Sequence, residues 1–195
     1  MTSRLLARAA PDVAARLLGS LITSDIGDEC VAVRLTEVEA YGGVGEDPGS
    51  HAFRGQTARN ATMFGPPGRL YVYFTYGMHW CANVVTGPEG SASAVLLRAG
   101  EVIEGIDVAR ERRPAARRDR DLARGPARLA VSLGLTGEQD GVDLTSTSSP
   151  VRLHVARRPL PVHAVTARTG VSGAGAATRW RFTADDPTVS PYRPA

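Results

Sequence analysis

Between Arg69 and Asn83 the chain reads Arg-Leu-Tyr-Val-Tyr-Phe-Thr-Tyr-Gly-Met-His-Trp-Cys-Ala-Asn, and no other stretch narrows the choice of fold as much. Leu70, Val72 and Phe74 share one face of a period-2 pattern, and Tyr71, Tyr73 and Thr75 share the other. The alternation breaks at Tyr76-Gly77 and resumes through Trp80, Ala82 and Val84. Two β-rich runs about a glycine-containing break predict an antiparallel hairpin with Tyr76 at its tip. A tip tyrosine can fold back on its own strand, or stand out as a wedge that enters something stacked, such as nucleic acid. The pattern leaves both readings open.

A second run, Cys30 to Tyr41, alternates as cleanly at its start, with Val31, Val33 and Leu35 on one face and Ala32, Arg34 and Thr36 on the other. Continued in phase, the strand puts Glu37, Glu39 and Tyr41 on the face of the three apolar residues. A carboxylate there is costly unless it is paired or used, which makes Glu39 the foremost candidate for a catalytic group. The alternative is a bulge or an early strand end, which would send Glu39 into solvent.

From Gly42 to Gly68 the chain is broken repeatedly by glycine and proline. So long a connection inside one domain is usually functional, and this one carries His51 and the polar run Arg54-Gly-Gln-Thr-Ala-Arg-Asn60. Upstream, a short helix is expected over Asp12 to Leu18, stopped by Gly19. Downstream, Ala94 to Leu97 reads as a buried strand ending on Arg98, Ile106 to Arg113 as a helix ended by Pro114, and Gly125-Pro126 as the opening of a helix closed by Gly134. Val151 to Val155, Val162 to Val165 and Trp180 to Phe182 read as further strands. Thr169 to Thr178, mostly Gly and Ala, reads as a flexible loop, and residues 186–195 as a disordered, proline-rich tail. The length suits one domain of mixed α/β (α+β) class, spanning 1–195.

All 23 basic residues are arginine; lysine does not occur. From Arg110 to Arg128, eight arginines face three carboxylates, 8 − 3 = +5, and from Val151 to Ala184 six arginines face none. The acids gather earlier, around Glu37, Glu39, Glu46 and Asp47. A basic surface beside an acidic pocket suits a polyanionic ligand worked on by a carboxylate, although a solvated loop accounts for the first cluster equally well. Cys30 and Cys81 read as buried free thiols. No apolar run approaches the roughly 18 residues of a membrane span, and the first ten residues form no secretory signal. A cytoplasmic protein without membrane contact is expected. There is no phosphate loop, dinucleotide fingerprint, nucleophile elbow or zinc-type cysteine spacing, and the four histidines form no i,i+4 pair. Neither metal nor cofactor is therefore expected. A pocket carboxylate, an aromatic set, the donors His51, Asn83 and Arg98 and a basic rim fit hydrolysis at a sugar carbon whose leaving group is flat and stacks on rings.

Taken in order, Glu37-Val-Glu-Ala-Tyr41, His51, Thr57-Ala-Arg-Asn60, Leu70-Tyr-Val-Tyr73, Tyr76-Gly-Met78, Cys81-Ala-Asn83, Leu96-Leu-Arg98 and Gly125-Pro126 resemble the alkyladenine (3-methyladenine) DNA glycosylases of mammalian type, a family with bacterial members. The resemblance spans most of the chain and is densest from Glu37 to Gly105. It implies a curved antiparallel sheet with flanking helices and a protruding hairpin that enters the DNA minor groove. By position it implies that Glu39 activates the attacking water and that Arg98 lies beside that water and a nearby phosphate. Tyr41, His51 and Tyr73 would sandwich a flipped base, and Asn83 would crowd the exocyclic amine of guanine. Tyr76 would fill the gap left by the flipped nucleotide, with Gly77, Met78, Thr57 and Arg59 on the DNA and the main-chain carbonyl of Thr169 as a further water contact. Gln56 stands where a basic residue is usual, and the hairpin flank reads Met78-His-Trp, so two backbone contacts depart from the family pattern.

The implied partner is double-stranded DNA carrying damaged purines, met by a monomer in the bacterial nucleoid. A base cannot be reached inside the duplex, so it must be extruded and stacked between rings, and an alkylated purine is cationic and suited to an aromatic cage. Two other functions compete: a non-catalytic, tRNA-type binding module, and a hydrolase of free nucleosides. The first gives a buried Glu39 no task, and the second gives the wedge and the basic rim none.

Overall fold

The computed structural model describes residues 2–27 and 29–191. Two helices, α1 (Thr2–Leu6) and α2 (Ala10–Leu17), lead into β1 (Leu21–Ile26) and the long β2 (Glu29–Tyr41). Then come β3 (Leu70–Thr75), β4 (His79–Thr86) and β5 (Ser93–Glu104), the helices α3 (Ile106–Arg112) and α4 (Pro126–Ser132), and the short β6 (Val151–His154), β7 (Ala164–Thr166) and β8 (Arg181–Thr183). The strands form one curved antiparallel sheet in the order β3-β4-β5-β2-β1-β6, with β8 pairing with the end of β2 and carrying β7. This is the single-domain, mixed α/β architecture expected from the sequence.

One face of the sheet is apolar. Leu70 and Val72 of β3, Ala82 and Val84 of β4 and Val95 and Leu97 of β5 pack with Val13 and Leu17 of α2 and Leu129 of α4. The even and odd positions of each strand go to opposite faces. The other face therefore receives Tyr71, Tyr73, Cys81, Asn83, Leu96 and Arg98, and it is this face that the Gly42–Gly68 connection covers with Ala52, Met63 and Phe64.

The phase of β2 differs from simple alternation. Val31, Val33 and Leu35 lie in the main core, but so do Val38 and Ala40. The register against β5 runs Leu35↔Gly100, Glu37↔Ala99, Val38↔Leu97, Glu39↔Leu96, so β2 gains a residue at Thr36 and β5 gains one at Arg98. The pair of bulges switches the parity of β2. Glu39 and Tyr41 consequently leave the face of Val31 and Val33 and join Leu96 and Arg98 on the other. The in-phase expectation is corrected, and the solvated alternative is corrected with it: Glu39 has 0% exposure, because chain segments cover that face too.

Several boundaries also move. The N-terminal helix starts at Ala10, with Pro11 in its first turn, and a separate turn of helix precedes it. Within the basic Arg110–Arg128 cluster, the stretch Arg117 to Arg124 contains a 3-10 turn and is tied down by Arg110–Asp119 and Arg118–Asp121 ion pairs. The start of the expected disordered tail is held against the sheet. Thr188 and Ser190 are buried, Thr188 Oγ1 meets Thr36 Oγ1 at 2.8 Å, and the Ser190 N–H donates to Glu37 Oε2 at 2.7 Å. The rest of that expectation, residues 192–195, lies outside the described residues. Among the described residues, no helix is long and apolar enough to cross a membrane.

Candidate active site

Glu39 sits where β2, β5 and the segment after β7 converge. Its Oε2 accepts from the Tyr41 hydroxyl at 2.9 Å and from Arg98 Nη1 at 3.2 Å, and its Oε1 accepts the Thr169 N–H at 2.7 Å. A carboxylate offers about four lone-pair sites, so Oε1 retains one for a further donor. Burial raises the Glu39 pKa above the usual carboxylate range, and the pull of Arg98, the Thr169 N–H and the Tyr41 hydroxyl does not fully cancel it. Glu37, also wholly buried, goes the other way. Burial alone would raise it, but Arg98, Arg181 and Ser190 together outweigh burial and hold it below the usual range.

Tyr41, Arg98 and Thr169, the three partners of Glu39, all line a cavity of about 220 Å³. Glu39 itself is behind them. The walls are Tyr41, His51, Tyr71, Tyr73 and Asn83, with Gly170 and Val171 at one side and Tyr76 at the mouth. Thus the sequence-derived set Glu39, Arg98, Tyr41, His51, Tyr73 and Asn83 is brought to one place. The His51 and Tyr73 rings meet edge-on with centroids 4.6 Å apart, and Tyr71 lies 5.4 Å from Tyr73. His51 Nδ1 shares a 3.2 Å hydrogen bond with the Tyr71 hydroxyl. Partial burial, then the charge of Arg59, lower the His51 pKa and favour the neutral ring. Asn83 is oriented by the bond its Nδ2 donates to the Tyr71 carbonyl at 3.1 Å.

The hairpin rises beside this cavity. Tyr76 and Gly77 have φ of 52° and 63°, and the Met78 N–H returns to the Thr75 carbonyl, the positive-φ pair of a tight hairpin turn. Gly77 suits that geometry; Tyr76 adopts it at some strain. Tyr76 is 83% exposed and Met78 68%. The fold-back reading of Tyr76 therefore does not hold. Thr57, Arg59, Gly77 and Met78 are exposed and lie outside the cavity lining. Arg59 braces the hairpin, donating to the Phe74 carbonyl at 3.1 Å with its guanidinium 5.6 Å from the Tyr73 ring centroid. Thr57 gives its N–H to Asn60 Oδ1, and buried Asn60 in turn donates to the carbonyls of His51 and Gly55.

Sequence reasoning missed the buried supports. Arg168, counted above among the basic residues of the last segment, is 0% exposed at its side chain and pairs with buried Asp47 through Nη1–Oδ2 and Nη2–Oδ1 contacts of 2.5 and 2.6 Å. Its guanidinium stacks 4.5 Å from the Tyr41 centroid and 5.5 Å from that of Trp180. Gly49 allows this close approach, since a methyl group there would lie 2.6 Å from Arg168 Nη2 and 2.7 Å from Val171 Cγ1. Glu37 was visible only as one more acid. The Gly/Ala-rich segment from Thr169, expected as a flexible loop, forms the side of the cavity and contributes a main-chain N–H to Glu39.

The sequence model of the methylpurine-DNA glycosylase (MPG) family matches residues 4–188. Among known proteins, one from Streptomyces avermitilis is 54% identical over 99% of this chain and 92% of its own length. One from Leifsonia xyli subsp. xyli is 54% identical over 93% and 87%, and one from Nocardia farcinica 53% over 94% and 87%. All three carry the name "Putative 3-methyladenine DNA glycosylase". The match runs from α1 to Thr188, and so takes in every wall of the cavity: the chain belongs to the methylpurine-DNA glycosylase family.

Proposed function

We propose that this DNA glycosylase acts as a monomer on duplex DNA, extrudes an alkylated or deaminated purine, such as 3-methyladenine, 7-methylguanine, hypoxanthine or ethenoadenine, and hydrolyses its N-glycosidic bond with water activated by Glu39. The observation that carries this reading is a buried carboxylate, raised in pKa, directly behind an aromatic-walled cavity at the foot of a hairpin with an exposed tyrosine tip. The flipped base stacks between Tyr41, with Arg168 on its far side, and the His51–Tyr73 pair. A neutral His51 adds no positive charge of its own to the cage, and the ring faces suit a cationic alkylated purine. Water bonds to the open lone pair of Glu39 Oε1. As its oxygen joins C1′, the C1′–N bond breaks with its electron pair passing to the purine, and the water proton passes to Glu39. Ionised Glu39 stabilises the positive charge developing on the sugar, while Asn83 narrows the cavity where the guanine amine would enter.

Free water is the nucleophile because the chain supplies no lysine amine, and arginine stays protonated. The product is the free base and an unbroken abasic strand. The test is a duplex oligonucleotide with one modified adenine, beside the free nucleoside, with borohydride present in a parallel reaction. Abasic sites should form in the duplex alone, with no trapped enzyme–DNA adduct. Release from the nucleoside at the same rate, or a covalent adduct, would overturn the reading.

A second expected outcome concerns the tip. Stacking of an aromatic on bases is worth about 1–3 kcal/mol, so Tyr76→Ser should lower the flipped fraction about 5- to 150-fold. A fluorescent base beside the lesion reports this. An unchanged flipping signal would make Tyr76 a bystander.

A further inference from the structure

Glu37 touches neither the cavity nor any surface, yet it takes more hydrogen bonds than Glu39 does. Its Oε1 accepts Arg98 Nε at 2.8 Å, Arg181 Nε at 2.7 Å and Ser190 Oγ at 2.9 Å, and its Oε2 accepts the Ser190 N–H at 2.7 Å. These donors come from β5, β8 and the C-terminal segment, so one carboxylate collects three separate parts of the chain. Arg98 is thereby divided. Its Nε donates to Glu37 at 2.8 Å, and its Nη1 donates to Glu39 at the longer distance of 3.2 Å. Buried Arg98 and Arg181 together balance the two carboxylates in charge.

We propose that Glu37 is a positioning residue for base release: latched by Arg181 and Ser190, it holds Arg98 back from Glu39, leaving one lone pair of Glu39 Oε1 unclaimed by the arginine. This rests on Glu39 as the base. A guanidinium released from Glu37 would be free to turn one edge, with two parallel N–H groups, onto Glu39, the bidentate geometry that arginine and carboxylate favour. Glu39 would then be a weaker base with fewer open lone pairs. The charged and titratable groups acting on Glu39 are Arg98 from β5, Glu37 and Tyr41 from β2, Tyr73 from β3 and Arg168 from the segment after β7. Of these, Glu37 alone both repels the Glu39 charge and restrains the arginine that attracts it. Removing the Glu37 charge therefore moves the Glu39 pKa down, from both causes at once.

The experiment is single-turnover base release across pH by Glu37→Gln, Ser190→Ala and Glu39→Gln in the full chain, each with lesion-duplex affinity and thermal midpoint. Glu37→Gln should shift the acid limb of the rate profile to lower pH and slow the plateau about 10²-fold, the size expected from a misplaced reacting group, with lesion affinity kept. Ser190→Ala keeps every charge and removes one of four bonds, so the acid limb should stay while the plateau falls several-fold. A folded Glu37→Gln with an unmoved acid limb and full rate would overturn the proposal. Should that variant fail to fold, wild-type rates for Ser190→Ala at every pH would overturn it instead. An active Glu39→Gln would mean that the base assignment itself has failed; an inactive one beside a normal Glu37→Gln would confine the failure to Glu37.

Discussion

Glu39→Gln should bind a lesion-bearing duplex as well as the parent chain and release its base about 10²–10⁴-fold more slowly, the range lost with a general base. Glutamine keeps an acceptor for the Thr169 N–H or for Tyr41 and Arg98, so the cavity walls keep their places. What disappears is the proton acceptor and the negative charge opposite the sugar. The same substitution should raise thermal stability at neutral pH. Glu39 has a folded-state pKa above its unfolded value, so its contribution favours the fold below the unfolded pKa of about 4.3 and turns unfavourable as pH rises through the folded pKa. A neutral glutamine removes that penalty. Each 1 kcal/mol relieved raises the midpoint of a domain this size by about 2–4 °C, and the gap between variant and parent should close in acid. Near-parental single-turnover release, or a variant less stable than the parent at pH 7, would contradict this account.

The largest loss of stability is expected at Asp47→Asn. Asp47 accepts two bonds from Arg168 and the N–H groups of Gly42 and Gly49, and both charged side chains are buried. Asparagine turns an NH2 group toward one of these donors and leaves the Arg168 charge buried without a counter-ion. Breaking one half of a buried pair costs about 3–5 kcal/mol, which corresponds to a fall of about 6–20 °C in the midpoint. The aspartate pKa is depressed: burial opposes ionisation, but Arg168 and the two glycine N–H groups prevail. Its contribution is thus complete above the unfolded pKa of about 3.9 and is lost as pH falls through the folded value. The variant should lack that part of the acid transition. Because Arg168 backs the Tyr41 ring, base release should also slow at temperatures where the variant remains folded. A midpoint within 2 °C of the parent would show that the pair carries little.

The hairpin was legible because its signals are local: alternation on both sides, and Gly77 within three residues of both strand ends. That Tyr41, His51, Tyr73 and Asn83 share one cavity was legible through their order along the chain. Neither the phase of Glu39 nor its support was. The extra residue at Thr36 that switches the parity of β2 is matched by one at Arg98 in β5, 98 − 36 = 62 positions away, and no feature of Glu37-Val-Glu announces it. Arg168 and Arg181 looked like members of a basic surface, because a segment's charge count does not distinguish a solvent-facing arginine from a counter-ion to Asp47 or Glu37, respectively 121 and 144 positions upstream. The tail looked disordered for the same reason. Its prolines are local and visible, while the Ser190 bonds to Glu37 are long-range.

Those last bonds also set an order of events during synthesis. Glu37 and Ser190 are 153 positions apart, so at roughly 5–20 residues per second the carboxylate waits about 8–30 s for its final donors. Once β5 has been made, within the first half of that interval, β2 and β5 can pair, yet Arg98 is still free to close onto Glu39. On the mechanism proposed above, the nascent chain acquires full base release only after Ser190 has been made.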